Sequence, residues 1–463
     1  MTDLLILGAG PAGMAASARA AGLGLSVVLI DEQPRAGGQI YREVDRVSGP
    51  RGAILGADYL RGRALTGALA HPRITHLGGA TVWQVGAGPE VFLTRNGQAE
   101  RIAGQRLLIA TGALERPMPV PGWTLPGVMT TGAAQILLKR SGLVAERAVL
   151  AGSGPLLYLV AAQMVRAGTP PLALVETQRM GDLLAAQGHL TGALRGIRDL
   201  AKGLGLLADL RRAGVRRFTG VRDMAVLGDT RTEGIAFTTA KGPQQIACDT
   251  VLLHHGVVPN TQIPRSIEAD HAWSDHQRCF APVTDAWGET TVAGVFVAGD
   301  GGGILGAQAA ELSGQLAALQ VACTLGAITT GDRDLAARPL RRALARQRAF
   351  RRFLDRAYPP YSGGLAPKDD TVVCRCEEIT AGQVRAAAAR GAMGPNQCKA
   401  FLRVGMGPCQ GRYCGATITE LLASAHRQTP DQTGAFRIRP PIKPVTLGEI
   451  AAMVAASDTE AET

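Results

Sequence analysis

The tightest constraint on this chain lies in its first 31 residues. Residues 3–8, DLLILG, read as a short buried strand. GAGPAG follows, then a small-residue helix from Met14 to Ala21, then a second strand from Ser26 to Ile30 ending at Asp31. This is a βαβ opening. Gly8 permits the tight turn, Gly10 lets backbone approach a pyrophosphate, and Gly13 lets helix and strand pack closely. Pro11 and Ala12 begin a helix whose free N–H groups carry partial positive charge toward phosphates. Asp31, followed by Glu32, stands at the strand end, where a carboxylate accepts ribose hydroxyls. Strand, turn, helix, second strand and acid agree, so the chain opens as a dinucleotide-binding α/β unit.

Three further pieces add specificity. AGGQ at 36–39 supplies Gly38 and Gln39 just beyond the acidic strand end. Residues 100–113 carry another strand, RLLIATG, with Thr111 and Gly112 at its close. TVAGVFVAGD at 291–300 reads as a strand leading through Gly299 and Asp300 into a Gly-rich helix start. Over roughly residues 1–325 this set resembles the two-dinucleotide-binding flavoproteins with the glutathione-reductase-like fold. The resemblance implies FAD in preference to NAD, with Asp300 on the flavin ribitol. It also implies tandem Rossmann domains, an NAD-like domain being inserted in the FAD domain.

A second βαβ unit starts at RAVLA, residues 147–151, with helix Leu156 to Arg166 and strand Leu172 to Val175 ending at Glu176. Its fingerprint, GSGPLL, has Gly152 and Gly154 but Leu157 in the third position, where a bulky side chain pushes helix from strand. Glu176 is expected to accept ribose hydroxyls and repel a 2′-phosphate. Three outcomes stay open for this unit: NAD(P), another adenine nucleotide, or no ligand. His254 and His255, beside the GVVPN turn, read as packing or turn residues.

The chain has eight cysteines, five of them between Cys374 and Cys414. Cys248, Cys279 and Cys323 are scattered and read as small buried hydrophobes. None precedes residue 248, so the redox pair of a disulfide reductase has no candidates. Cys374 and Cys376 form CxC; Cys409 and Cys414 form CxxxxC inside GMGPCQGRYC. Four thiolates from two loops can hold a [2Fe–2S] cluster. The rival is a structural zinc site, which more often draws on CxxC pairs. Gly405, Gly407, Gly411 and Gly415 let N–H groups point at sulfur, and Arg375, Arg403 and Arg412 offset the negative charge of a cluster. Cys398 lies outside both pairs and reads as a packing residue.

The run CRCEEIT…GMGPCQGRYCG resembles the bacterioferritin-associated-ferredoxin-like [2Fe–2S] domain. With DEQPRAGGQIYR (31–42) and RIRPPIKPVTLGEIA (437–451), nearly the whole chain resembles one flavoprotein group. Its members are the A subunit of opine oxidase, the hydrogen cyanide synthase middle subunit, and the α subunits of hydroxyproline and proline dehydrogenases. The resemblance implies an electron-receiving α subunit whose partner, an amino-acid-oxidase-like flavoprotein β subunit, oxidises the substrate. Some members place FMN at the subunit interface and add a small [2Fe–2S] subunit. The implied donors are opines, cyclic imino acids or glycine, and the acceptor is a quinone or dye. Two other readings stay open: a self-contained NAD(P)H-dependent flavin oxidoreductase with a [2Fe–2S] outlet, and an iron–sulfur interaction module on a degenerate flavoprotein.

The expected division is 1–118 and 263–330 for the FAD domain, 119–262 for the inserted domain, 331–368 for an Arg-rich bridge and linker, 369–428 for a small helical cluster domain, and 429–463 for an extended tail. Residues 333–356 hold nine arginines, with Leu340, Leu344, Phe350, Phe353 and Leu354 at roughly helical spacing, which predicts an amphipathic helix or helix pair. PPYSGGLAP, 359–367, has linker composition. At 46% hydrophobic and 19% charged residues, the chain can bury a core and is not disordered. Its net charge of +11 comes almost wholly from Arg, with only six Lys, and no recognition motif accompanies it, so nucleic acid is not an expected partner. No apolar run is long enough to span a bilayer. The expected location is the cytoplasm, with peripheral inner-membrane association through partners.

Overall fold

The computed structural model describes residues 2–86 and 88–453; the last ten residues of the tail, 454–463, lie outside them. Strand Thr2–Leu7 is central to the first sheet because its LLIL run is buried on both faces. Strands Val27–Asp31 and Gln98–Ile109 flank it in parallel, with Ile74–Gly78 outside the former and Val295–Val297 alongside Leu107–Ile109. The long strand Gln98–Ile109 bends away at its start to pair antiparallel with Glu90–Arg95, which in turn pairs with Thr81–Val85.

Helices Pro11–Gly22 and Ala307–Thr324 lie together on one face of this sheet. Their contact is close because both are built from small residues: a Cβ on Gly314 would come within 2.2 Å of the Ala12 carbonyl oxygen. The helix after Asp300 begins later than the sequence reading suggests. Residues Gly299–Gly302 form a 3-10 turn, and regular helix starts only at Ala307.

A second sheet is wholly parallel, in the order Arg216–Phe218, Ala173–Glu176, Ala148–Gly152, Thr250–His254, Val128–Thr130. A three-stranded antiparallel sheet, 222–247, covers part of it. The chain enters this unit through Ala113–Glu115 and leaves through Val257–Pro259, and these two crossings pair with each other. The architecture is the tandem Rossmann-like α/β fold that the sequence predicts.

The Arg-rich segment is one helix, Thr330–Ala357, despite Pro339 within it. Thr329 caps its start, its hydroxyl accepting from the Asp332 N–H at 3.1 Å. Leu344 and Phe350 are buried on its inner face, and Arg333 and Arg341 hold Trp287 between their guanidinium groups. The stretch 359–367 is not a free linker. Tyr361 is buried in the core of the second unit, its N–H donates to His255 Nδ1 at 3.2 Å, and its hydroxyl accepts from the Met224 N–H at 3.4 Å. Composition registers the turn formers there and misses the one aromatic that docks.

Three helices, Ala381–Ala389, Pro395–Leu402 and Gly415–His426, with a two-stranded ribbon, form the cysteine module around its own core. The tail after it is anchored as far as Lys443. Phe436 enters the module core, Ile442 enters the core of the first unit with its N–H on the Trp83 carbonyl at 2.8 Å, and Lys443 pairs with Glu32 at 2.8 Å. Among the described residues no helix is long and apolar enough to cross a membrane.

Candidate functional site

The first glycine turn is shaped by contacts that leave no room for side chains. A Cβ on Gly8, at φ +106°, would sit 2.5 Å from the Ala110 carbonyl oxygen, and one on Gly13 would sit 1.9 Å from that of Gly8. Gly38, at φ +58°, comes so close to Gly10 that a Cβ would lie 2.7 Å from its Cα; one on Gly299 would lie 2.9 Å from the Ala12 Cβ. Four segments distant in sequence therefore meet at the start of helix Pro11–Gly22 in a cradle of bare backbone. Thr111, at the edge of that cradle, has a buried hydroxyl with no partner. The bare backbone, the helix start and the orphaned hydroxyl suit an FAD pyrophosphate and ribityl chain.

The acids near this cradle also brace its backbone. Asp31 accepts from the Ala9 N–H at 2.6 Å and the Gln33 N–H at 2.7 Å, so its carboxylate braces the glycine turn. Burial raises its pKa, and those two hydrogen bonds oppose the rise. Glu32 is the exposed neighbour, held by Lys443. Asp300 Oδ1 accepts from the N–H groups of Leu305 and Gly306 at 2.8 and 2.9 Å, which fixes the entry to helix Ala307–Thr324, and Ser313 Oγ accepts from the Gly299 N–H. Gln39 offers its carbonyl oxygen to Lys139 Nζ at 2.9 Å. Sequence reasoning missed Lys139; a lone lysine amid the apolar ILLKR run was the available signal. Its pKa falls to about 7 because it is buried.

The second glycine turn is equally tight. A Cβ on Gly152 would overlap the His254 carbonyl oxygen, and Gly154, at φ +119°, abuts the His254 ring. His254 Nδ1 is bonded to Glu115 at 2.6 Å, and Glu115 also accepts from the Gly132 N–H at 2.8 Å. Ser153 and Thr177 have buried hydroxyls without partners. Glu176 is wholly buried and already engaged: Arg217 grips both its oxygens, at 2.9 and 3.0 Å, and the Tyr158 hydroxyl donates to it at 2.5 Å. Leu157 is buried against the sheet. Arg217 lies forty-one residues beyond Glu176 and reaches it only because its strand is the next in the sheet, so no local motif announces the pair.

The four module cysteines come from two loops. Cys374 and Cys414 are buried and within hydrogen-bonding reach of each other; Cys376, which is exposed, and Cys409 form a second such pair. The Cys374 thiol is lowered to about 6, first by the Cys414 thiol and then by backbone N–H groups, against its burial. The same contact, with burial, pushes the Cys414 thiol well up, so the two sulfurs share one proton as a pair. Among the described residues no three Cys, His, Asp or Glu side chains gather around a point suited to a single ion. Two thiol pairs suit a two-iron cluster instead. Gly407 is obligatory here, since its Cβ would fall 2.3 Å from that of Cys376, and Gly405 and Gly411 lie against the ring of Phe436. Arg403 pairs with Glu377 at 3.2 Å, Arg412 donates to the Ile442 carbonyl, and Arg375 is exposed. Cys398 is fully buried as a packing residue, as are Cys248 and Cys279, whereas Cys323 is only partly covered.

The cysteine module is fastened to both units. Gln262 Nε2 donates to the Gln410 carbonyl at 2.9 Å, Trp123 Nε1 to the Val372 carbonyl at 2.7 Å, and Arg278 forms a two-point ion pair with the buried Glu420. A cavity of about 70 Å³ lies between Leu114, Val258 and Asn260 on one side and Gly411, Arg412 and Gly415 on the other. The carbonyl of Gly112, the last residue of the flavin-side ATG, accepts from the Asn260 N–H at 2.9 Å.

Comparison with known proteins agrees with this geometry. Residues 2–314 match the pyridine nucleotide-disulphide oxidoreductase model, and residues 372–424 match the BFD-like [2Fe-2S] binding domain. The chain is 45% identical to the A subunit of opine oxidase from Rhizobium meliloti, over 97% of this chain and 87% of that one. It is 32% identical to hydrogen cyanide synthase subunit HcnB of Pseudomonas protegens, over 95% and 96%. The fold superposes on L-proline dehydrogenase from P. horikoshii with a TM-score of 0.70, at 18% identity, covering 97% of this chain and 79% of that one.

Proposed function

The chain belongs to the pyridine nucleotide-disulphide oxidoreductase family and carries a BFD-like [2Fe-2S] domain behind the flavin fold, and on that premise we propose that it is the electron-transfer subunit of a hetero-oligomeric amine dehydrogenase. It is an FAD-dependent oxidoreductase related over nearly its full length to subunits of such complexes. The donor is a CH–NH or CH–NH2 compound of opine, proline or hydroxyproline, or glycine type, oxidised on a partner flavoprotein, and the electrons leave to a quinone-like acceptor. FAD with a [2Fe–2S] cluster supplies the conversion of two-electron oxidation into single-electron delivery.

The chain's own residues would hold both groups. The backbone of Gly8, Gly10, Pro11, Ala12, Gly13, Gly38 and Gln39 would receive the FAD diphosphate, Asp31 and Glu32 would face its adenosine end, and Thr111, Gly112, Gly299 and Asp300 would line the ribityl and flavin end. Cys374, Cys376, Cys409 and Cys414 are the cluster ligands. The observation that carries the reading is the direct clamp between the cluster loop and the flavin-side crossover, Gln262 to Gln410. A module on a free tether would need a docking step for every electron; this one does not.

The reading of the chain as a self-contained NAD(P)H oxidoreductase has Gly152, Gly154 and the orphaned Ser153 hydroxyl in its favour. Against it stands Glu176, whose carboxylate is spent on Arg217 and Tyr158. The test is to assay amine oxidation by the chain alone and by the chain co-expressed with its partner flavoprotein. Activity of the isolated chain equal to that of the complex would overturn the proposal.

A further inference from the structure

Between strands Ala173–Glu176 and Arg216–Phe218 the chain makes a helical lobe: Met180–Ala185, Leu190–Arg195 and Ile197–Arg212. Its inner side is small. Gly192 rests on the Ala349 carbonyl and Gly196 on the Phe350 ring of the Arg-rich helix, where a Cβ would come within 2.2 and 2.4 Å. Its outer side carries exposed apolar residues among charged ones. Met180, Leu183 and Leu184 stand at i, i+3 and i+4, and all three are exposed. Leu190 and Leu194 follow at i and i+4, exposed by 52 and 66%, and on the next helix, beyond the break at Gly196, Ile197 and Leu204 stand at i and i+7, exposed by 59 and 67%. Helical spacing of this kind marks a face that is buried against something. The function derived above leaves this face unused.

The Arg-rich helix borders the lobe and presents a row of its own. Arg338, Arg342, Arg346, Arg352 and Arg356 are exposed and fall within about one third of the helix circumference. Among the described residues none of them has a carboxylate within ion-pairing distance, whereas Arg333 and Arg351 on the same helix are paired with Asp334 and Asp355. The row runs for about 27 Å at 1.5 Å per residue, on the scale of an ordinary subunit interface.

We propose that the lobe and the arginine row form the docking face for the partner subunit, and that this partner presents an apolar patch rimmed by carboxylates. The proposal rests on the reading of the chain as one subunit of a complex. Leucine and methionine at the centre with arginine beside them match the composition of protein interfaces. Guanidinium groups bind carboxylates in two-point fashion, which sets register as well as attraction. A second copy of this chain fits poorly, because a two-fold contact would bring the arginine rows toward each other.

The test uses the full chain co-expressed with the partner flavoprotein of the proposed complex, followed by size-exclusion chromatography with light scattering. Two double variants are compared with the wild type: Leu190→Asp with Leu194→Asp, and Arg346→Glu with Arg352→Glu. All four positions are exposed, so both proteins keep their flavin and cluster spectra. Each variant is expected to bind the partner at least tenfold more weakly, with the wild-type affinity falling as salt rises. Unchanged association of both variants overturns the proposal while leaving the subunit reading intact; a wild type that never associates overturns both. Sedimentation of the isolated wild type with phosphatidylglycerol vesicles, lost in the variants, would assign the face to lipid and reject a protein occupant. Self-association of the wild type, lost in the variants, would reject it likewise.

Discussion

Arg217 holds Glu176 by both carboxylate oxygens, at 2.9 and 3.0 Å, at the strand end where a pyridine nucleotide's ribose would require a free acid. One partner is fully buried and the other about one third exposed. The pair is therefore a closed structural contact.

Anaerobic addition of stoichiometric NADH is expected to leave the flavin absorption of the purified chain unchanged. Rapid bleaching would instead favour the self-contained reductase. Arg217→Ala leaves a buried carboxylate with Tyr158 and Gln178 as its remaining partners. The expected cost is about 2–3 kcal/mol, read from urea unfolding, without loss of the cluster spectrum.

Cys409→Ser should abolish the [2Fe–2S] absorption and electron paramagnetic resonance signals and leave FAD bound. Gly407→Ala is expected to do the same although it removes no ligand, because the new methyl would lie 2.3 Å from the Cys376 Cβ. An intact cluster in both variants would reject the ligand assignment; an intact cluster in Gly407→Ala alone would show that the loop gives way.

Gly38→Ala places a methyl 2.7 Å from the Gly10 Cα at a backbone angle that disfavours a side chain. The purified variant should lack the flavin band while its cluster signal persists. Full flavin occupancy would refute the cradle as the FAD site.

Lys139 carries a pKa of about 7 in the folded chain against an ordinary value of 10.5, lowered first by burial and then by Arg42. Between those two values the unfolded chain binds the extra proton and the folded chain does not. Stability from this group therefore rises with pH from about 7 to 10.5, and its burial cost is greatest below 7. Lys139→Met removes this slope. The difference in melting temperature, variant minus wild type, should fall as pH rises from 6 to 9. A difference that stays constant would place the lysine's titration elsewhere.

Local spacing made both glycine turns, the strands around them and the CxC…CxxxxC pattern legible, since each is set within about forty residues of chain. What spacing could not convey was who neighbours whom. Arg217 joins Glu176 across a parallel strand pair, and Lys139 reaches Gln39 between units. Asp31 occupies the expected place, and its contact with the Ala9 N–H across the glycine turn is one that no motif encodes. Tyr361 and Phe436 are single aromatics in Pro- and Gly-rich stretches, and their burial depends on cavities built by distant segments.

Phe436 has a consequence for how the protein is made. Its ring fills the space under Gly405 and Gly411, the glycines that shape the cysteine loop, and the strip after it is tied to Trp83 and Glu32 near the start of the chain. The loop cannot take its final form until residue 436 has left the ribosome, when the flavin unit has long been synthesised. The same late strip closes the first unit through Ile442, so a chain truncated before residue 436 is expected to lose packing in both the module and the flavin unit.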